Sequence, residues 1–258
     1  MHGARRATAS WLDPVRRLRA SLGLPAAGDP LFEGQFSPHG TLALFSRALA
    51  TPRSDWPARA QITGFPFFNR AIPMPATLTE FLDAGDPPIV FTLGTSAVGA
   101  AGVFYEESLA AATRLRRRAV LLVGVYEANR PRSPLPPEVL AIDIAPHDQL
   151  FPRACAIVHQ GGVGTTGEAL RAGRPTLVVP HAHDQFDNAY RAARTGGARV
   201  LFPRQYRANR VVAELTRLLD DRSVAACAEA TAAIVRTEDG IGAAARAIDQ
   251  LLKVNERC

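Results

Sequence analysis

HQGGVGTTGEALRAGRPTLVVPHAHDQFDNA, residues 159–189, reads as a strand end, a glycine turn, a helix, a second strand, a polar loop and a second helix. The apolar run ACAIVH leads into it. Gly161, Gly162 and Gly164 let the backbone turn tightly and approach a ligand closely. EALRAG has the spacing and the terminal glycine of a helix, and PTLVV is a short, uninterrupted apolar strand. A strand, a helix and a strand in so little chain imply a parallel pair.

Upstream the same alternation repeats. A helix over TLTEFLDAG precedes the strand PIVFTL. The loop GTSAVG, the helix VFYEESLAAATRLRR, the strand AVLLVGV and the strand LAID follow. Downstream come a short strand ARVLF and helices at about 208–220, 223–235 and 240–253. Short continuous apolar strands alternating with helices predict an α/β fold, a Rossmann-like parallel sheet with helices on both faces. Ligands in such sheets bind beyond the carboxyl ends of the strands. That rule directs attention to GTSAVG, APHDQ, HQGGVGTTG and PHAHDQ.

The first third of the chain is different. SWLDPVRRLRASL (10–22) predicts a helix, with Pro14 suited to its first turn. TLALFS and ARAQITGF have strand character, and TPRSDWP between them is turn-like. PFFNRAIPMP, residues 66–75, holds three prolines in ten residues and reads as a stiff linker. Residues 1–65 are too short and strand-poor for an independent domain. They read as the tail of a second domain, and 76–258 as the α/β domain.

Composition narrows the function classes. The 258 residues are 47% apolar and 21% charged, the values of a globular protein. The net charge is +6, and Lys253 is the only lysine. The arginines are dispersed except at Arg114, Arg116, Arg117 and Arg118, which read as the solvated end of a helix. No aromatics interleave with them, so no nucleic-acid partner is expected. Cys155, Cys227 and Cys258 have no CxxC spacing, which predicts neither a disulfide framework nor a zinc site; Cys155 reads as a small core residue. The N-terminus lacks an apolar signal core, and no apolar run approaches the roughly 20 residues of a membrane span. A soluble, cytoplasmic protein is the expectation.

The loops carry phosphate and hydroxyl chemistry. N–H groups of the helix after the glycines point at an anion with the helix dipole behind them. Thr165 and Thr166 add hydroxyls, and the His159 imidazole can donate to a phosphate oxygen. Glu168, early in that helix, can accept both hydroxyls of a ribose. Asp184 and Gln185 at the tip of the next strand suit vicinal sugar hydroxyls. Diphosphate, ribose and a second sugar are the parts of a nucleotide-sugar.

A rival reading exists. Gly162-x-Gly164-x-x-Gly167 matches the dinucleotide fingerprint, with Asp184 near the place of its ribose-binding acid, which would make the protein an NAD(P)-binding oxidoreductase. Against it, the motif follows two or more βα units, Pro180–His183 intervene before the acid, and His159, Glu168, Gln185 and Asn188 are left without a role. A P-loop is excluded because no Lys-Ser/Thr pair follows the glycines.

The string H-x-G-G-x-G-T-x-x-E-A-L-x-x-G-x-P, followed by P-x-x-x-D-Q-x-x-N-A, resembles the donor-binding signature of GT-B glycosyltransferases of the UDP-glycosyltransferase type, above all the bacterial antibiotic- and sterol-glycosylating branch. DWPARAQITGFPFF is similar to the end of that family's N-terminal domain, and APHDQLFPR to its nucleobase loop. The resemblance implies a GT-B fold, with 1–65 the remnant of the acceptor-side domain and 76–258 the nucleotide-sugar-binding domain. It implies a hexosyltransferase that passes a sugar from a nucleotide-diphosphate sugar, of UDP type, to a lipid, sterol or natural-product hydroxyl with inversion. His159, Gly161, Gly162, Val163, Gly164 and Thr165 would hold the diphosphate, helped by Thr95 or Ser96. Glu168 would hold the ribose, Asp184 and Gln185 the transferred sugar, and Pro146 and His147 would border the base. Ile144 stands where the family often has a stacking aromatic. No cofactor or metal is implied, despite the His181-x-His183 spacing.

The family's general base is a histidine early in the N-terminal domain, and nothing here matches it; no catalytic base is assigned. The chain is therefore expected to be a truncated or mis-started reading frame of a longer enzyme, or a donor-binding half, inactive alone or working with a separate acceptor-binding half or as a homo-oligomer, or else a non-catalytic nucleotide-sugar-binding subunit. IGAAARAIDQLLKV would then expose an apolar face.

Overall fold

The computed structural model describes all residues except Met1, Ala27, Gly34, Gln35, Asn69–Ala71, Ser96 and Glu256–Cys258. The chain forms two compact units. The smaller holds 1–43, 52–61 and 247–258, and the larger holds 44–51 and 62–246. The described part of the expected linker, 66–68 and 72–75, thus lies in the larger unit.

In the smaller unit, helix α1 (His2–Thr8) runs through a 3-10 turn into α2 (Asp13–Ser21), where Pro14 occupies the first turn. Trp11, Val15, Leu18 and Leu22 recur at helical spacing, and all are exposed. Strands β1 (Thr41–Ala43) and β2 (Ala60–Ile62) form a two-stranded sheet. Both are shorter than the sequence suggests. After β1 the chain turns at Ser46, whose carbonyl accepts from the N–H groups of Leu49 and Ala50, and after β2 Gly64 takes a φ of 98°.

The larger unit begins its regular alternation at α3 (Ala76–Asp83). Then come β3 (Ile89–Thr92), α4 (Phe104–Leu115), β4 (Ala119–Leu122), β5 (Val139–Ile142) and the single turn α5 (His147–Leu150). β6 (Ala156–His159), α6 (Val163–Ala172), β7 (Thr176–Val178), α7 (Gln185–Arg194) and β8 (Ala198–Val200) follow. Helices α8 (Ala208–Asp220), α9 (Arg222–Arg236) and α10 (Gly240–Asn255) close the chain. The expected α/β class is thus met.

Six parallel strands form one sheet in the order β5-β4-β3-β6-β7-β8. The chain starts at the centre with β3, moves outward to β5, then returns to build the other half from β6. β3 and β6 are therefore neighbours that the chain enters at different times, with Ile89 in register with Ala156. Loops that leave them diverge, and the crevice between them is the place where such sheets take ligands.

The apolar runs fill both faces. Ile89, Phe91, Leu121 and Val158 pack with Phe104, Tyr105 and Leu109 of α4 and Val211, Leu215 and Leu218 of α8. Val90, Val120 and Ile157 point the other way, onto Leu78 and Leu82 of α3, Leu150, and Ala169 and Ala172 of α6. Alternate residues of one strand serve opposite layers, which is why no polar alternation is visible in the sequence.

Two local readings change. Arg118 is not simply solvated: its guanidinium lies 4.0 Å from the Phe81 ring centre and donates to the carbonyls of Asp86 and Phe81. Arg116 ends α4 in a left-handed conformation, φ 50°. Cys155 is partly buried against the core rather than wholly within it. The last helix does present the expected apolar residues, with Ile241, Ile248 and Leu252 exposed.

Candidate functional site

The glycine turn between β6 and α6 is held from beneath. Gly161 has a φ of 86°, and a Cβ there would lie 2.9 Å from Val178 Cγ1 and 3.0 Å from the Gln185 carbonyl oxygen. Glycine is thus required both by conformation and by contact. The Gly161 N–H donates to His159 Nδ1 at 2.9 Å, and its carbonyl accepts from Asn188 Nδ2 at 2.9 Å. Both backbone groups of the turn are thereby spent on fixing its shape.

That first bond also settles the state of His159. Nδ1 accepts, so the ring proton sits on Nε2. The side chain is fully buried, and burial, with a smaller repulsion from His147, lowers its pKa to about 3. His159 is a neutral N–H donor, and its Nε2 has no partner among the described residues.

Gly162 caps α6 without a side-chain bond to the helix, and Thr166 is the first residue whose N–H reaches back, to Gly162 O at 2.8 Å. The N–H groups of Val163, Gly164 and Thr165 lack an intrahelical acceptor, as in any first turn. Val163 and Gly164 are exposed, and nothing lies within 4 Å of where a Gly164 Cβ would be. The arrangement offers a cluster of uncharged donors and a helix dipole to an anion.

Glu168 is one turn further on. Its side chain is 19% exposed, and Arg171 Nη2 lies 2.7 Å from its Oε2. Burial raises its pKa, the Arg171 charge and hydrogen bond oppose this, and Asp148 adds to the rise.

The strand β3 side is more open. Thr95 is exposed, and Ser96 lies outside the described residues. Thr95 and Thr165 both line a cavity of about 470 Å³ that extends over the ends of β4 and β5 to Tyr126, Ile144 and His147. Val125 and Ile144 are 75% and 67% exposed. Pro146 is half-buried, and His147 stacks on Phe151 at 4.4 Å; burial lowers its pKa to about 4, against the pull of Asp148.

Asp184 and Gln185 begin α7 and face different ways. Asp184 is exposed and accepts from Asn188 Nδ2 at 2.8 Å. Gln185 is turned inward, 2% exposed, and its amide oxygen accepts from the N–H groups of His181 and Ala182 at 2.8 and 3.1 Å. It braces the polar loop, in which His183 holds a φ of 55°. Among the described residues no three His, Cys, Asp or Glu side chains gather as metal ligands.

The sequence reading missed Gln160, though it stands in the quoted motif. It is buried between the two loops: a Cβ on Gly94 would come within 2.0 Å of Gln160 Nε2, and one on Gly162 within 2.6 Å. Its Oε1 has no partner among the described residues. Asn188 also has a role now, tying the turn to Asp184. Gly94 in GTSAVG was the available signal for Gln160, since a glycine there implies close approach.

The model of the erythromycin biosynthesis protein CIII-like C-terminal domain matches residues 106–239. The chain is 36% identical over 189 residues to the O-mycaminosyltylonolide 6-deoxyallosyltransferase of Streptomyces fradiae, covering 71% of this chain and 43% of that protein. It is 32% identical over 217 residues to a sterol 3-beta-glucosyltransferase of Arabidopsis thaliana, covering 83% and 33%. The chain thus spans less than half the length of either relative. Among solved structures it matches the glycotransferase of kitacinnamycin with a TM-score of 0.75 at 24% identity, over 94% of this chain and 62% of that one. It matches the spinosyn rhamnosyltransferase complexed with thymidine diphosphate with a TM-score of 0.69 at 25% identity, over 83% and 57%.

The fold is the GT-B glycosyltransferase fold expected from the motif. The dinucleotide reading finds no support: its glycines follow β6, the fourth strand of this sheet along the chain, and the relatives are glycosyltransferases. The chain belongs to the family of erythromycin biosynthesis protein CIII-like C-terminal domains.

Proposed function

We propose that this chain is the donor-binding half of a glycosyltransferase that takes its sugar from a nucleotide-diphosphate sugar. One observation carries the reading. The unbonded first turn of α6, the Thr165 and Thr95 that line the cavity, and the Glu168 carboxylate all lie around the β3–β6 switch point, the natural ligand crevice of the sheet.

In this reading the N–H groups of Val163, Gly164 and Thr165, the Thr165 hydroxyl and the Thr95 loop hold the diphosphate, with Ser96 assigned there by the motif alone. As the anomeric bond breaks, charge develops on the leaving diphosphate, and preorganised donors and the dipole of α6 stabilise it. No metal is needed for that step. Glu168 accepts from the ribose. Asp184 contacts the transferred sugar, with Gln185 holding the loop that presents it. Pro146 and His147 border the base, and Tyr126 supplies the ring that Ile144 does not. The base is thymine or uracil; the bound thymidine diphosphate of one structural neighbour favours including thymidine nucleotides in the search. The acceptor is a hydroxyl of a natural product, sterol or lipid. Inversion at the anomeric carbon requires a base to take the proton of that hydroxyl, and we assign none in this chain. An acceptor-side domain supplies it, and the exposed apolar residues Trp11, Val15, Leu18 and Leu22 are consistent with such a neighbour.

Thermal unfolding tests this with UDP, TDP and their hexose conjugates. At 100 times Kd a ligand stabilises by roughly 2.7 kcal/mol, so Tm should rise by several degrees and Glu168→Ala should cancel most of the rise. No rise with any of these nucleotides would sink the proposal.

A further inference from the structure

Glu168 faces an electrostatic difficulty that the sequence does not reveal. Its carboxylate is four-fifths buried, and Asp148 on α5 adds repulsion. A carboxyl that protonates there loses an acceptor, and ribose hydroxyls need acceptors. The compensating charge comes from its own helix. Arg171, one turn on, is 20% exposed and donates from Nη2 to Glu168 Oε2, which leaves Oε1 without this contact.

Exposed Glu-Arg pairs at this spacing hold each other loosely, because both side chains rotate freely. Here the guanidinium is also stacked and the backbone beneath it is also held. The Arg171 guanidinium lies 4.1 Å from the ring centre of Phe67. Its backbone carbonyl accepts from Arg236 Nε of α9 at 2.9 Å, and Arg236 is held in turn by Glu229, 2.6 Å from its Nη1. Phe67 is itself steadied by Phe65, whose ring centre is 5.6 Å away and whose side chain packs where a Gly167 Cβ would be. A planar cation stacked on a ring presents its donor edge in one plane.

We propose that Arg171 is a positioning residue for the donor nucleotide: held against Phe67, it fixes one oxygen of Glu168 and leaves the other to accept from a ribose hydroxyl. The proposal rests on the reading of Glu168 as the ribose acceptor. Arg171 touches no part of the nucleotide. Its contribution is to orient the carboxylate before the ligand arrives and to keep it ionised, so that binding carries less ordering cost. Arg171 is therefore expected to matter for nucleotides with ribose hydroxyls and to be indifferent to those without.

The test is isothermal titration with UDP and with 2′,3′-dideoxy-UDP on the full chain, between pH 5 and 8. The wild-type protein should prefer UDP by about tenfold, the scale of one or two hydrogen bonds to a charged group. Protonation removes the acceptor, so the preference should fall as pH drops through the pKa of Glu168. Arg171→Met keeps an apolar stem over Phe67 but removes the charge. Its preference should shrink to about threefold or less, and the pH midpoint should move upward, since a buried carboxyl without its cation titrates higher. Arg171→Lys should restore part of the preference and most of the midpoint. Phe67→Leu keeps the charge and removes the stacking face, so it should lower the preference with the midpoint nearly unchanged.

The outcomes separate the two readings. If wild type does not distinguish UDP from its dideoxy analogue, Glu168 is not the ribose acceptor and both readings fall. If Glu168→Gln loses the preference while Arg171→Met retains both preference and midpoint, Glu168 stands and Arg171 is packing only. If Arg171→Met and Phe67→Leu weaken both nucleotides equally, Arg171 acts on the fold and not on the carboxylate, and the proposal is overturned.

Discussion

The two sides of the crevice are built to different standards. On the β6 side the backbone of the turn is fixed by hydrogen bonds: Gly161 is bonded through both backbone groups, Asn188 joins the turn to Asp184, and Gln185 braces the neighbouring loop, while His159 Nε2, Gln160 Oε1 and Thr166 Oγ1 find no partner among the described residues. On the side of β3, β4 and β5 the lining is open, with Val125, Tyr126 and Ile144 exposed. In the proposed reading the difference follows from what each side would recognise. A diphosphate is the same in every nucleotide-diphosphate sugar and rewards fixed donors. A base and its surroundings vary, and apolar contacts tolerate small displacements where hydrogen bonds do not.

The sharpest way to break this comparison is to substitute two glycines of one turn. Gly161→Ala places a Cβ against Val178 and the Gln185 carbonyl in a left-handed backbone, and should destabilise by about 2–4 kcal/mol in urea unfolding. Gly164→Ala meets nothing within 4 Å and should leave stability unchanged or raised by about 0.5–1 kcal/mol, while weakening nucleotide binding, because the space it fills is the ligand's. Equal effects at the two positions would mean that the turn has no ligand-facing side.

Acid should act on both sides with one sign. His159 and His147 have folded pKa values lowered to about 3 and about 4, against about 6.5 in the unfolded chain. Between these limits the unfolded state binds more protons, so stability rises with pH across the window and falls as pH drops from about 6.5 toward 4. Melting temperature against pH should show that slope, and His147→Leu should flatten it. A flat profile in the wild type would mean that neither ring is buried neutral.

The smallest effect is expected on the open side. Tyr126→Ala should change unfolding free energy by no more than about 0.5 kcal/mol, as for other surface positions, and weaken nucleotide binding by less than tenfold, since stacking on a base is worth about 1 kcal/mol. A loss as large as that of Glu168→Ala would show that the base side is as tightly specified as the phosphate side.

Much of the site was legible because its parts are local in sequence. The glycines, Thr165 and Glu168 belong to one turn and one helix, and their spacing alone puts an unbonded first turn and a carboxylate in succession. Asp184 and Gln185 were legible as a pair, but not as facing opposite ways: a helix start sends successive residues to different faces, and only the buried position of the loop N–H groups decides that Gln185 turns inward. Ile144 follows β5 and borders the cavity without a ring; the ring that borders the same cavity, Tyr126, comes from a different strand end.

By itself the sequence determined the alternation of strand and helix, the parallel sheet, the glycine turn and the family, because each depends on residue types at fixed short spacings. Tertiary structure alone decided that Gln160 sits against Gly94, that Arg118 lies on Phe81, and that Arg171 is clamped between Phe67 and Glu168. The physical reason is common to all three. A pattern in sequence encodes which face of an element is buried. Which side chain from another element meets it is set by how the strands are ordered and how the helices pack upon them.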